Sequence, residues 1–179
     1  SSVIIKKKPK VGIIGKGEPR GICGSGLVEL TAQLLINGII DKSGKMSGPY
    51  TVYEKKKVKI EISPQDIRHI QLAKAAIRAG ISALSNSARV PLPLLSALYV
   101  AGAFGTFLER SAALKIGLVP KIKKTKIKIA GNTAYKGAFM MLLAPAKLKE
   151  AEAIAEAAVH INLFARKDFQ EEFVNRMSF

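Results

Sequence analysis

The sequence predicts an α/β fold in one domain over residues 1–179, and three observations carry that expectation. Short β-branched segments, such as 58–62 and 127–129, alternate with longer stretches of helical periodicity. Three bends rich in small residues, Gly21-Ile22-Cys23-Gly24-Ser25-Gly26, Gly102-Ala103-Phe104-Gly105 and Gly131-Asn132-Thr133-Ala134, each stand where one element ends and the next begins. Hydrophobic residues make up 48% of the 179 positions against 23% charged, enough apolar matter for a real core and too little charge for disorder. In an open α/β sheet, ligands collect at the carboxyl ends of the strands, so bends of one design gathered there would form a binding mouth.

Taken in order, residues 3–5 and 11–14 read as short strands around a Lys-Pro turn, and residues 15–20 as a polar turn. The first glycine bend then runs directly into the apolar-periodic segment 27–36. Glycine permits positive φ and lets another group touch the backbone. A helix starting there directs its first N–H groups and the positive end of its dipole at the loop. That combination suits an anion, most often phosphate; a tight strand-to-helix turn with no ligand has the same sequence signature. The spacing fits neither the P-loop nor the Rossmann fingerprint. Asn37-Gly38 closes the helix, a Gly/Ser/Lys loop follows over 42–49, and residues 50–53 and 58–62 read as a β-hairpin with Val58, Ile60 and Ile62 on its inner face.

Ser63-Pro64-Gln65-Asp66 is the clearest helix start in the chain, with serine at the N-cap, proline at the first turn and an acid three residues beyond the cap. The helix extends to about Leu84, with Ile67, Ile70, Ala73, Ile77, Ile81 and Leu84 as its expected apolar face. Gln71, Lys74 and Arg78 lie at three- and four-residue steps on a neighbouring face, either the solvated side or a side turned to a nucleotide. Residues 98–101 read as a buried strand entering the second glycine bend, 112–116 as a short helix, and 126–129 as a strand entering the third. That bend opens a helix over 134–143, which Pro145 breaks. A further helix over 146–159, a short apolar strand over 160–164 and a terminal helix over 167–177 complete the chain. His69 and His160 have no neighbouring nucleophile and read as structural, and Glu171-Glu172 as a solvated helix face. No catalytic residue and no metal-ligand cluster is identified.

Lysine and arginine number 29 against 13 acids, a formal charge of +16, which favours nucleic acid, acidic protein surfaces or phosphate-bearing ligands. The lysine runs at 6–10, 55–59 and 121–128 carry little arginine and few aromatics. Base-reading and strand-stacking surfaces usually use arginine or aromatic platforms, so edge-guarding lysines explain the runs more simply and nucleic acid is not the expected partner. Cys23 is the single cysteine, which excludes a disulfide framework or a four-cysteine cluster within these residues. The uncharged run 90–108 is interrupted by Pro91, Pro93, Gly102 and Gly105, against a membrane span. A soluble, cytoplasmic protein is expected.

The glycine bends, the segment Asp66-Ile67-Arg68-His69-Ile70-Gln71-Leu72-Ala73-Lys74-Ala75-Ala76-Ile77-Arg78-Ala79-Gly80-Ile81, the stretch Ala113-Leu114-Lys115-Ile116-Gly117-Leu118-Val119-Pro120 and the phenylalanine tail (Phe169, Phe173, Phe179) follow one another in an order that resembles the C-terminal domain of the reductive activators of corrinoid proteins. These are ATPases of the sugar-kinase, actin and chaperone superfamily. The resemblance implies a ribonuclease-H-like, actin-like ATPase lobe, with a mixed sheet flanked by helices. It implies that ATP drives an electron from an iron–sulfur cluster to cobalt, returning a Co(II) corrinoid methyl carrier to Co(I). By the same resemblance Gly24, Ser25 and Gly26 lie near the phosphates of ATP and Mg2+. Lys74 and Arg78 flank the base, Gly102, Ala103 and Gly105 form the adenosine motif, and Gly131 and Asn132 complete the site. The superfamily's first lobe, with its phosphate loop and metal-orienting aspartate, and the [2Fe-2S] or other cluster segment have no counterpart in these residues, so a piece of a longer protein is expected. A corrinoid protein is the implied partner, with a homodimer as an added possibility. An interaction module of the same fold, without ATPase activity, and a basic nucleic-acid binder are the alternatives.

Overall fold

A computed structural model describes residues 3–5 and 9–179. The expected Lys-Pro turn and the side chains of the lysine run at 6–10 lie outside the described residues. Strand β1 (Val3–Ile5) pairs antiparallel with β2 (Pro9–Val11). The second strand thus ends at Val11, where the sequence predicts it over 11–14. Gly12 interrupts it, Gly15 turns at φ +85°, and Ile13 and Ile14 leave the ladder to line a cavity.

Helix α1 (Gly24–Ile36) is the centre of the molecule. A helix apolar on every side has to be buried, and α1 serves two cores at once. Val28 and Ala32 belong to one hydrophobic cluster, with Leu108, Ala113, Ile116 and Ile127. Leu30 and Leu34 belong to the other, with Ile40, Val52, Ile62 and Ile67. Its buried Thr31 hydroxyl donates to the Leu27 carbonyl at 2.7 Å, so no polar group is stranded between them. Asn37 ends the helix and Gly38 leaves it at φ +67°, as the Asn-Gly pair predicts.

The hairpin of β3 (Tyr50–Lys55) and β4 (Val58–Ile62) forms with a register shift between Thr51 and Tyr53, and Lys59 and Glu61 face solvent as the alternation requires. Helix α2 (Pro64–Ser87) opens with a full capping box: the Ser63 hydroxyl accepts from the Asp66 N–H at 3.2 Å, and the Asp66 carboxylate accepts from the Ser63 N–H at 2.8 Å. Ser63→Ala is expected to lower stability by about 1 kcal/mol, measured by urea unfolding, because the Asp66 N–H in the first turn loses its hydroxyl acceptor.

The predicted isoleucine stripe of α2 is buried only at its start, where Ile67 is fully enclosed and Ile70 packs on the same cluster; further along, the buried face is a different one. Ile77 and Leu84 are each 47% exposed, whereas Gln71, Lys74, Ala75, Arg78, Ala79, Ser82 and Ala83 are buried. Alanines let α7 (Lys167–Asn175) approach closely along this face, and the aliphatic stems of Lys74 and Arg78 supply apolar surface as larger hydrophobes would.

Strand β5 (Leu98–Ala101) leads into α3 (Gly102–Thr106) and α4 (Arg110–Lys115), and β6 (Ile127–Gly131) returns parallel to β5. Parallel and antiparallel pairing are therefore both present, divided over three two-stranded sheets among the described residues. Only one face of β5 is covered, leaving Tyr99 70% exposed, which corrects the expectation of a buried strand. Helices α5 (Thr133–Leu143) and α6 (Ala146–Ala157) contribute no buried residue. Residues 160–164 form no strand: with no neighbouring strand to pair, they run irregularly into a 3₁₀ turn at Leu163–Ala165. Among the described residues, no helix is long and apolar enough to cross a membrane.

Candidate functional site

The three small-residue bends come together. Ala101 and Gly131 are register partners at the ends of β5 and β6, so the second and third bends leave the parallel pair side by side. Gly102 turns at φ +87° and Gly131 at φ +72°, conformations that side-chain-bearing residues adopt at a steric cost. The short helix α3 then packs on both β6 and α1. Its Phe104 ring lies against Gly24, the first residue of α1, so closely that a Cβ there would stand 2.8 Å from ring carbon Cδ2. Gly105 is buried, and a Cβ on it would stand 2.7 Å from the Val100 side chain and 3.2 Å from the Val100 backbone.

Around this junction, α1 and α5 begin. Neither has an acid in its first turn, so the positive ends of both helix dipoles remain uncompensated by first-turn carboxylates. Ser25 and Gly26 are buried in the first turn of α1, and the Ser25 hydroxyl and Cys23 sulfur lie 3.3 Å apart. Asn132 caps α5 by accepting from the Tyr135 N–H at 3.0 Å, and Ala103 is exposed in the mouth of the second bend. Lys136 adds a cation: its Nζ donates to the Ala130 carbonyl at 2.9 Å and lies 3.7 Å from where a Gly131 Cβ would be. Sequence reasoning missed Lys136 and the Phe104 contact. The signal for the lysine was its position four residues after Asn132, one helical turn beyond the cap.

On the hairpin side of the first bend, Gly21, Ile22, Cys23 and Gly26 form one wall of a cavity of about 550 Å³ whose other walls come from residues 11–20, Val52 and Val58. That volume suits a small organic ligand. Glu18 in its rim accepts from the Tyr53 hydroxyl at 2.8 Å, tying the loop to β3 and holding the phenol above its usual pKa.

Lys74 and Arg78 are placed elsewhere. They line a separate cavity with the residues of the C-terminal tail, which shares no lining residue with the three bends. Lys74 is 2% exposed, its Nζ donates to the Ser178 carbonyl, and it lies 5.1 Å from the centre of the Phe179 ring. Arg78 donates to the Ser82 hydroxyl at 2.6 Å. Burial, with the Arg176 charge added, pushes the Lys74 ammonium down to about 8.

Glycine bends and helix N-termini gathered beside the carboxyl end of a parallel strand pair are the arrangement in which α/β folds take up ligands, and the class here is the actin-like ATPase lobe, as the family match shows. Within that class the chain belongs to the family described as the C-terminal domain of RACo, the ASKHA domain, whose model matches residues 2–179. It is 32% identical to the corrinoid activation enzyme RamQ of Eubacterium limosum, over 93% of this chain and 32% of that protein. It is 27% identical to a [Co(II) methylated amine-specific corrinoid protein] reductase of Methanosarcina barkeri, over 90% of this chain and 30% of that protein. The solved structure of a reductive activator for corrinoid, iron-sulfur protein superposes with a TM-score of 0.91 at 32% identity, covering 99% of this chain and 32% of that one. The chain thus spans about a third of the length of these relatives.

Proposed function

We propose that these residues are the nucleotide-binding part of an ATP-dependent reductive activator that returns a Co(II) corrinoid carrier to Co(I). The observation that carries this reading is the packing of the three glycine bends into one junction, within a lobe whose relatives are named for corrinoid activation. The residues fit a nucleotide: Gly102 leaves open space where a side chain would stand, Gly131 meets only the Lys136 Nζ there, two helix N-termini are at hand, and Lys136 supplies positive charge, while Gly24 and Gly105 let Phe104 and Val100 close the junction behind them.

In this reading Gly24, Ser25 and Gly26 orient phosphate through backbone N–H groups, and Lys136 offsets its charge. Gly102, Ala103 and Gly105 admit the nucleoside, with Asn132 holding the start of α5 in register. Mg2+, when bound, would be held through the nucleotide's phosphates, with the metal-orienting aspartate that the resemblance implies lying outside these residues. ATP, when bound, supplies the free energy that makes the uphill electron transfer possible. The reduction adds one electron to cobalt, and the donor is an iron–sulfur cluster in segments outside these residues, since Cys23 alone cannot hold one.

Calorimetric titration with Mg-ATP tests the reading. Saturable binding is expected, weakened at least about tenfold by Gly26→Val, which places an isopropyl group at the buried first turn of α1. Absence of heat at millimolar nucleotide would favour the interaction module instead.

A further inference from the structure

The cavity against the C-terminal tail, about 610 Å³ in volume, is lined by six cations: Lys42, Lys74, Arg78, Lys115, Lys121 and Arg176. No side-chain carboxylate is among its lining residues. Glu172 stands beside it, pairing with Arg176 at 2.8 Å, and its charge also reaches Arg78. One side-chain carboxylate against six cations leaves a strong excess of positive charge. Two of the cations, Lys74 and Arg78, are buried, and buried charges normally have charged partners. Here the partners are a backbone carbonyl, a hydroxyl and an aromatic face, apart from the Glu172 charge near Arg78. Leu92, Leu114 and Phe179 add an apolar side to the same space.

We infer that this cavity is a second ligand site, separate from the glycine bends, for a small molecule carrying two or three phosphate groups on an apolar body. Its volume is that of a nucleotide-sized ligand. The cations answer the phosphates, with Arg78 and Arg176 offering forked donors and Lys42, Lys74, Lys115 and Lys121 point charges. Because Lys74 holds the Ser178 carbonyl and the Phe179 N–H donates to the Lys42 carbonyl at 2.8 Å, an arriving anion competes directly for groups that hold the tail.

The test is titration of the full chain with inorganic tripolyphosphate, a probe that carries the charge without a nucleoside. Saturable binding is expected, weakened at least about tenfold by the double variant K115E/K121E, whose positions are exposed and form no salt bridge among the described residues. Arg78→Met should weaken it as well, with the thermal transition of each variant confirming that it remains folded. K57E/K149E, two exposed lysines outside the cavity, should leave binding within about twofold, which separates a site from the general field of the protein. Gly26→Val removes phosphate binding at the glycine bends but should leave the component that K115E/K121E weakens unchanged, so this inference can fail while the nucleotide reading stands, and the reverse. Loss of tripolyphosphate binding in Gly26→Val, equal weakening in K57E/K149E, or no saturation below about 10 mM would overturn the second site.

Discussion

Gly105→Val is expected to destabilise the protein by about 3 kcal/mol, the upper end for overpacking a filled core, read as a lower urea midpoint at unchanged slope. The first atom of any side chain at this position meets Val100 at 2.7 Å, and the backbone of the same residue at 3.2 Å. A flexible side chain could swing away; the β5 backbone cannot do so without breaking its pairing with β6. The damage therefore spreads to the register partners Ala101 and Gly131 and separates the second and third bends. A variant that unfolds at the wild-type midpoint would show that the bend has slack which this packing denies.

Lys74 should govern stability at alkaline pH. Its pKa falls from 10.5 to about 8 because the ammonium is desolvated among α2, the tail and Phe179 and is repelled by Arg176. The unfolded chain keeps this proton up to 10.5, while the folded chain releases it near 8, so between those values the unfolded state binds more protons. Stability from this group therefore rises with pH through that window, by about 1.4 kcal/mol per unit and about 3 kcal/mol in all. Below the window both states are protonated and the cost of the buried charge is constant. Urea unfolding at pH 8 and pH 10 checks this: Lys74→Met should lack the rise, and a wild type with the same flat profile as Lys74→Met would refute it.

Much of the architecture could be read from local chemistry. The Ser-Pro-x-Asp start of α2, the Asn-Gly end of α1 and the alternation in β4 depend on neighbours a few residues away, and each forms as expected. The family order of the glycine bends likewise marked which backbone positions had to lack a Cβ, and the φ values and contacts at Gly102, Gly105 and Gly131 give the reason. What could not be read depends on distant chain. Beyond Ile70 the isoleucine stripe of α2 is more apolar than the face that is buried, and the choice between them is made by α7, about a hundred residues further on. The fates of Lys74 and Arg78 follow from that choice. Segment 160–164 has strand composition without a strand to join, which no local pattern reveals.

Because α1 places Val28 and Ala32 in one hydrophobic cluster and Leu30 and Leu34 in the other, alternate flanks of a single helix cement both halves of the interior. Disrupting either half loosens the helix on which the other half packs. The interior therefore melts as one cooperative unit, whereas α5 and α6, which bury nothing in it, are free to fray at lower cost.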